Sequence, residues 1–414
     1  MNEPQGAARA AAEAAVRASY GRLVAWLAWQ WRDIAAAEDA LSDALIAALT
    51  TWPRDGVPAS PEAWLMKAAK RNLLKMERRR RFAEDPTLTV LHPAEHAATQ
   101  LPPELPDDRL RLMLVCAHPA IEPSIRSALM LQTVLGLDAQ RIARGFLVSP
   151  EAMTKRLVRV KTKIRDTRIR FEEPEACDLP DRLGSVLEAI YGAYTLDWDS
   201  DVSPGGEGLA AEAWFLADLV ASLIPEDPEA QGLLALIELC EARKPARYDA
   251  VGESVPLDEQ NPFHWHTALI DRAARRLHHA SSLNRVGAFQ LEAAIQMAHC
   301  SRLRSGVTPW SDIQNLYEVL LSLHPTVGAN LGYAMACAYA SGEAQQGIDV
   351  LEAVDPKVRE SHQPWWATRA HLLAKAGRRD EALGAFDRAI ALTRSQAMRR
   401  ALTRQQVGLA GPVH

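Results

Sequence analysis

Two segments of the chain combine many cationic side chains with a helical apolar stripe, at residues 64–81 and 142–165. Cations repeated along one helix face are suited to binding phosphates rather than to making or breaking bonds. In the first segment Lys67, Arg71 and Lys75 share a face because each lies four residues from the next. Such a ridge suits a phosphate backbone or a separated single strand. The candidate binding residues of this segment are Lys67, Lys70, Arg71, Asn72, Lys75, Arg78 and Arg79.

The second segment has the layout of a helix-turn-helix. The pattern predicts an apolar helix over 124–139, a short helix over 140–147 and a long helix over 151–170. Ser149 and Pro150 are a typical N-cap and first helical residue. In a helix-turn-helix the first turns of the long helix enter the major groove of a duplex. The candidate DNA-binding residues are Ser149, Glu151, Thr154, Lys155, Arg156, Arg159 and Lys163, and the residues predicted to pack the two helices are Ile142, Ala143, Met153 and Leu157.

A third helix, predicted over 34–52, has the opposite charge. Its candidate binding residues are Glu38, Asp39 and Asp43, which are predicted to face solvent beside Leu41, Leu45 and Ile46. Carboxylates repel DNA, so this helix is predicted to bind a protein surface that carries cations. A solvated acidic face is the simpler alternative, and the helix alone does not exclude it.

The chain as a whole predicts an all-α protein. Helical spacing and abundant Ala and Leu run through it, and alternating strand patterns are missing. The predicted units are a helical domain over 8–82, a proline-rich linker over 83–106, a second helical domain over 107–170 and a C-terminal helical domain over 180–405. In the last of these, segments 366–377 and 380–392 have the small-residue spacing of a tetratricopeptide repeat, with a weaker copy over 328–354.

Charge and composition bear on partners and compartment. Residues 1–170 carry 26 Lys and Arg against 19 Asp and Glu, a net charge of +7, and the remaining residues carry 21 against 33, a net charge of −12. A basic front half suits a polyanion partner, whereas an acidic back half does not. The five cysteines are dispersed, and there is neither a signal-peptide pattern nor an apolar run of membrane-spanning length. We therefore expect a soluble, cytoplasmic protein without a membrane partner.

No motif in the sequence points to catalysis. Phosphate-binding glycine loops, serine-nucleophile elbows and zinc-protease motifs are all missing. His264, His266, His278 and His279 have no carboxylate or Cys at ligand spacing, so we expect neither a metal nor a cofactor. The chain is predicted not to be an enzyme.

The order of these segments resembles the extracytoplasmic-function sigma factors of bacterial RNA polymerase. Residues 36–49 resemble the helix of region two that binds core polymerase, and residues 52–65 with the basic helix after them are similar to the next part of that region. Residues 137–165 resemble region four. The long C-terminal extension is similar to that of a subgroup with a helical, tetratricopeptide-like domain.

The resemblance implies partners for each segment. Glu38, Asp39, Asp43 and Leu41 would belong to the surface that contacts core RNA polymerase. Helix 62–81 would engage the minus-ten promoter element, helix 151–165 would read the minus-thirty-five element, and the linker 83–106 would run between the two sites. The chain would then direct promoter-specific initiation, and its C-terminal domain would modulate that activity, with an unidentified regulator as a further partner.

Two alternatives stay open. The chain could be a stand-alone helix-turn-helix regulator with a helical repeat sensor domain, although this leaves the acidic helix and the first basic helix unexplained. The C-terminal domain could either restrain or support the activity of the rest.

Overall fold

The computed structural model describes residues 3–84, 107–167, 179–198 and 209–410. Within these ranges the chain is helical without a strand, apart from an isolated bridge between Tyr248 and Ser254. The prediction of an all-α fold is therefore confirmed. The chain forms two compact units, Met1–Ala193 and Tyr194–His414. Among the helices in the described ranges, none has the length and apolar character of a membrane span.

Eight helices belong wholly or mainly to the first unit. They are α1 (Glu3–Trp31), α2 (Ile34–Asp55), α3 (Pro61–Glu84), α4 (Asp108–Cys116), α5 (Pro123–Thr133), α6 (Ala139–Gly145), α7 (Pro150–Asp166) and α8 (Leu179–Trp198). Most of the predicted linker, residues 85–106, lies outside the described residues, as do 168–178.

Helices α1, α2 and α3 pack against one another. The carboxylate of Asp33 caps α2 by accepting a hydrogen bond from the Ala36 amide at 3.0 Å. This helix is predicted to end at residue 52, but it continues through Pro53 to Asp55 and ends at Gly56, whose φ is 84°. A proline removes one backbone donor, and here the Gly56 amide still bonds the Trp52 carbonyl at 3.0 Å. Trp52 is buried and meets Trp64 edge to face, with ring centroids 5.5 Å apart.

Helices α4 to α7 cover the segment that is predicted to form a helix-turn-helix. The first of its predicted helices, over 124–139, ends earlier, at Thr133, and the turn that follows uses Gly136 with a φ of 67°. Asp138 caps α6 by accepting from the Arg141 amide at 2.8 Å. All four residues predicted to pack α6 against α7 are buried, namely Ile142, Ala143, Met153 and Leu157.

The two predicted DNA-binding domains lie within one compact unit, so their separation is not confirmed. Helix α1 packs against α4 and α5, and the Arg111 guanidinium lies 5.9 Å from the Trp29 ring centroid. Helix α8 belongs to this unit as far as Ala193. Its Arg182 donates to the Leu114 carbonyl at 3.2 Å, and its Glu188 accepts from Ser127 at 3.0 Å. The predicted boundary at residue 180 therefore cuts through contacts of the first unit.

Twelve helices form the second unit. They are α9 (Leu209–Leu223), α10 (Pro228–Arg243), α11 (Thr267–Ser282), α12 (Ala288–Cys300), α13 (Arg302–Ser305), α14 (Trp310–Leu323), α15 (Val327–Ser341), α16 (Ala344–Leu351), α17 (Pro356–Arg359), α18 (Gln363–Lys375), α19 (Arg379–Leu392) and α20 (Gln396–Ala410). Two short 3₁₀ turns, Lys244–Ala246 and Pro262–His264, lie between α10 and α11.

Helix α10 is the most buried element of this unit and contacts α9, α11 and α12. Its Glu229 caps α12 by accepting from the amides of Phe289 and Gln290 at 2.9 and 3.0 Å. Its Glu238 is fully buried and pairs with Arg272 at 2.7 Å and Arg276 at 3.0 Å. Burial raises the pKa of Glu238, and the two guanidinium groups oppose that rise.

The tail contains the helix pairs that the repeat spacing predicts. Helices α18 and α19 pack together through Ala370, Ala382 and Phe386, which are all buried. Gly377 makes the turn between them with a φ of 74°. The weaker copy corresponds to α15 and α16. The pairing is confirmed, whereas the tetratricopeptide label stays a prediction.

Candidate nucleic-acid interface

Helix α7 is amphipathic in the way that a groove-reading helix requires. Its buried stripe has helical spacing and consists of Met153, Leu157, Val160 and Ile164. Because this stripe faces the core of the unit, the opposite side of the helix is exposed. The exposed residues of α7 are Glu151, Thr154, Lys155, Arg156, Val158, Arg159, Thr162, Lys163, Arg165 and Asp166.

The seven predicted residues of this segment do not all present their side chains in the same way. Ser149 caps the helix by accepting from the Ala152 amide at 3.2 Å, and Thr154 donates to the Pro150 carbonyl at 2.8 Å. Lys163 donates to the Ala120 carbonyl at 2.6 Å. The exposed cations of the first three turns are Lys155, Arg156 and Arg159. We therefore regard these three side chains as the main part of the candidate interface.

Helix α3 exposes most of its predicted cations. Lys67, Arg71, Lys75, Arg78 and Arg79 are exposed, and they lie away from the buried residues Leu65, Ala69 and Leu73. The side chains of Arg80 and Arg81 lie outside the described residues.

Two predicted residues of α3 have structural contacts instead. The Lys70 ammonium lies 4.0 Å from the ring centroid of Trp26, so this cation is half-buried against α1. Asn72 is half-buried and donates to the Ala40 carbonyl at 3.3 Å, which ties α3 to α2. The assignment of Asn72 to DNA binding stays a prediction.

Helix α2 exposes an acidic and apolar face that differs from the predicted one. Asp39 and Asp43 are exposed as predicted, and Ile46 is 61% exposed. Leu41 is 1% exposed because it packs in the core of the unit, so its assignment to a binding surface is wrong. Ser42 and Leu49, which the sequence pattern does not single out, lie on the same exposed side. We define the α2 face as Asp39, Ser42, Asp43, Ile46 and Leu49.

Glu38 was also predicted to face solvent, and this prediction is wrong. Its Oε2 accepts a hydrogen bond from Nζ of Lys161 in α7 at 2.5 Å. Only 15% of the Glu38 side chain and 14% of the Lys161 side chain are exposed. Burial raises the pKa of Glu38, and the Lys161 ammonium opposes that rise. The same surroundings raise the pKa of Tyr20, chiefly through burial and then through the charges of Glu38 and Asp39.

The second unit contains an aromatic column that the sequence analysis did not find. Trp310 and Tyr339 stack with centroids 4.5 Å apart, and His299 meets Trp310 edge to face at 5.4 Å. His371 extends the column, since its Nε2 lies 2.9 Å from the Tyr339 hydroxyl. Burial lowers the pKa of His299 to about 3, and Arg243 and Arg302 act in the same direction. Neutral rings therefore fill this part of the core.

The histidines that the sequence analysis considered as metal ligands do not come together with other donors. Among the residues that the structure describes, no group of three or more His, Cys, Asp and Glu side chains could hold a metal ion.

Comparison with known proteins gives relatives without a described activity. Residues 182–281 match a family of unknown function, DUF6596. The crystal structure of yeast Tom70 aligns over 98% of this chain and 86% of that chain, at 11% identity and a TM-score of 0.31. An uncharacterized protein of Rhizobium meliloti (strain 1021) is 34% identical over 385 residues, which are 91% of this chain and 90% of the relative. The chain belongs to the same family as this Rhizobium meliloti protein.

Proposed function

We propose that this chain is a sigma factor of the extracytoplasmic-function type, acting in the cytoplasm without catalytic chemistry of its own. It binds core RNA polymerase through the α2 face and promoter DNA through α3 and α7. Helix α7 reads the minus-thirty-five element, and α3 engages the minus-ten element as the duplex opens. The unit Tyr194–His414 modulates this activity.

The observation that carries the proposal is the presence of surfaces of opposite chemistry within one compact unit. Lys155, Arg156 and Arg159 lie opposite the buried stripe of α7, on the first turns after an N-capped start. Cations in that position can reach both the backbone phosphates and the base edges of a major groove. The helix-turn-helix core that supports them has all four of its predicted packing residues buried.

The α2 face argues for a protein partner in addition to DNA. Asp39 and Asp43 would repel a duplex. Ile46 and Leu49 expose apolar surface on the part of the helix that follows these two carboxylates. An apolar surface bordered by carboxylates suits a protein that presents cations around an apolar groove. A stand-alone DNA-binding regulator has no use for such a face, which is why the sigma-factor proposal is preferred.

A binding experiment with purified bacterial core RNA polymerase tests the proposal. We expect the double substitution Asp39→Lys and Asp43→Lys to weaken polymerase binding about tenfold or more, or ~1.4 kcal/mol. Ile46→Glu should have a similar effect because it places a charge in the apolar part of the face. Glu360→Lys, at an exposed position of the second unit, makes the same charge change as either single Asp→Lys substitution and should leave binding unchanged.

Two results would decide against the proposal. One is a free chain that binds duplex DNA tightly but has no measurable affinity for core polymerase, which would favour the stand-alone regulator. The other is polymerase binding that is insensitive to every substitution in the α2 face.

A further inference from the structure

A long connection joins two helices of the second unit that pack directly against each other. Helix α10 ends at Arg243 and α11 begins at Thr267, so residues 244–266 lie between two helices in contact. In contrast, α18 and α19 also pack together, and only residues 376–378 connect them. Connections between packed helices usually have about two to eight residues, and much longer ones are commonly functional. The length of this connection is therefore not needed for the pairing of α10 with α11.

Part of the connection runs over other helices of the second unit, and we call this part, residues 247–260, the strap. Its first half is a tight turn, in which the Asp249 amide donates to the Glu253 carbonyl at 3.0 Å and Gly252 has a φ of 76°. Every residue of the strap is at least partly exposed, whereas Ala246 before it and Trp265 after it are buried. The chain on both sides of the strap is thus fixed in the core, and the strap itself lies on the surface.

Arg302 of α13 holds the second half of the strap by its backbone. The guanidinium donates to the carbonyls of Asp258 at 2.6 Å, Gln260 at 2.7 Å and Leu257 at 3.0 Å. Because every peptide has such carbonyls, these three hydrogen bonds recognise a peptide backbone rather than particular side chains. The Tyr339 hydroxyl of α15 adds a side-chain contact, since it donates to the Asp258 carboxylate at 3.4 Å.

Helix α20 holds the first half of the strap mainly by charge. The Arg404 guanidinium lies 2.6 Å from the Glu253 carboxylate and 3.5 Å from the Asp249 carboxylate. Arg400 donates to the Gly252 carbonyl at 3.0 Å. The acidic residues of the strap are Asp249, Glu253, Asp258 and Glu259, and its one basic residue is Arg247. The net charge of the strap is therefore complementary to the three arginines that hold it.

These contacts suit a segment that can be displaced. About half of the Arg404 side chain is exposed, and exposed ion pairs contribute little to stability because water screens them. The strap stays in place because both of its ends belong to the same chain, which gives it a high effective concentration at the arginines. A separate peptide that makes the same contacts competes with the strap for the same groups.

We propose that the surface beneath the strap is a binding site for an acidic peptide segment of a partner protein, and that the strap occupies this site in the free chain as a tethered ligand. The residues of the site are Arg302, Tyr339, Arg400 and Arg404. The partner segment presents backbone carbonyls to Arg302 and Arg400 and a carboxylate to Arg404. A nucleic acid offers phosphates but no peptide carbonyls, so the backbone contacts favour a peptide. The site lies wholly in the second unit and is independent of polymerase or DNA binding by the first.

The test uses a full chain in which residues 248–260 are replaced by glycine and serine at the same length. The probe is a fluorescent peptide with the sequence of residues 246–262, and fluorescence anisotropy measures its binding. We expect the peptide to bind this strap-replaced chain about tenfold or more tightly than the parent chain, in which the strap competes. The peptide that carries Asp249→Lys, Glu253→Lys and Asp258→Lys should bind the strap-replaced chain about tenfold or more weakly than the unchanged peptide.

Further substitutions identify the site. In the strap-replaced chain, Arg302→Met and Arg404→Met should each weaken peptide binding about fivefold or more. Arg379→Met, at an exposed position of α19, is the matched control and should leave peptide binding unchanged. A second chain keeps the strap but carries Glu253→Gln and Asp258→Asn, and it should bind the peptide about threefold or more tightly than the parent chain. Circular dichroism verifies that each variant keeps the helical content of the parent.

Several results would overturn the proposal. One is a strap-replaced chain that keeps its helical content and does not bind the peptide. Another is equal binding of the unchanged peptide and the peptide with three lysine substitutions. A third is a single-stranded DNA oligonucleotide that binds the strap-replaced chain as tightly as the peptide does, because charge alone would then account for binding. If the strap-replaced chain does not fold, the chain with Glu253→Gln and Asp258→Asn decides, and peptide binding equal to that of the parent overturns the proposal.

Discussion

Gly21 of α1 lies directly against the backbone carbonyl of Val134, at the end of α5. A Cβ atom at position 21 would overlap the Val134 carbonyl oxygen, which belongs to the backbone and cannot turn aside as a side chain could. Helix α1 therefore approaches the end of α5 as closely as it does only because residue 21 has no side chain. This contact is one of those that join the two predicted DNA-binding domains into a single unit.

Gly21→Ala should destabilise the first unit. The added methyl forces α1 and α5 apart, and overpacking of this kind typically costs about 1–3 kcal/mol. Gly184→Ala is the matched control, because a Cβ there meets no heavy atom within 4 Å. In an exposed helical position that change should be neutral or stabilising by up to ~1 kcal/mol. Urea denaturation, followed by the circular dichroism signal of the helices, measures both effects. Equal stabilities of the two variants would contradict the close approach of Gly21 to Val134.

Arg182 of α8 should matter for the stability of the first unit although it lies in the predicted C-terminal extension. The residue is 6% exposed, and its guanidinium donates to the Leu114 carbonyl at 3.2 Å. Arg182→Met keeps most of the volume but leaves that carbonyl without this donor, so a loss of about 1–3 kcal/mol is expected. Arg54→Met, at an exposed position of the same unit, is the control and should change stability little. A neutral Arg182→Met would show that α8 is not part of this core.

His299 should make the second unit less stable in mild acid. Its pKa lies at about 3 in the folded state, against 6.5 for the unperturbed side chain, because it is buried near Arg243 and Arg302. Below pH 6.5, the pKa of this histidine in the unfolded state, the unfolded chain binds a proton at His299 that the folded chain does not bind. Stability is therefore complete above about pH 6.5 and falls as the pH drops toward 3, by at most ~1.4 kcal/mol per pH unit.

The variant His299→Gln should flatten this dependence. Chemical denaturation of the second unit at about pH 7 and about pH 5 measures it for the parent and the variant. The half-buried His371 contributes in the same direction, since partial burial also lowers its pKa, so a residual pH dependence is expected in the variant. If the free energy of unfolding of His299→Gln depends on pH as strongly as that of the parent, the pKa of His299 is not lowered in the folded state.

Lys155 and Arg159 should contribute to DNA affinity through phosphates. Each substitution to Ala should weaken duplex binding and reduce the slope of log K against log salt by about 1. Lys357→Met, at an exposed position of the second unit, removes the same charge elsewhere and should leave the slope unchanged. Fluorescence anisotropy over a range of salt concentrations measures the slopes. Equal losses in all three variants would mean that net charge alone governs binding.

Local features of the fold could be predicted from the sequence because they depend on residues close together in the chain. Met153 and Leu157 are four residues apart and on one side of α7, and Ser149 before Pro150 is a recognisable helix start. The end of α2 was predicted too early because Pro53 removes only one donor, whereas Gly56 can adopt the positive φ that ends the helix.

Features that depend on distant residues could not be predicted in this way. Helical spacing placed Glu38 among acids that face solvent, but its partner Lys161 lies in another helix far along the chain. The same limit applies to the column of His299, Trp310, Tyr339 and His371, which four different helices contribute. Periodicity identifies the stripe of a single helix, whereas contacts between stripes require the packing of the whole unit.

The measurement that tests the central proposal most directly is transcription in vitro by purified bacterial core RNA polymerase on a library of promoter fragments, with and without this chain. The account predicts initiation at specific fragments only when the chain is present. That initiation should be lost with Asp39→Lys and Asp43→Lys together, or with Lys155→Ala and Arg159→Ala together, and kept with Glu360→Lys. Absence of specific initiation from every fragment, while the chain alone binds duplex DNA tightly, would contradict the account.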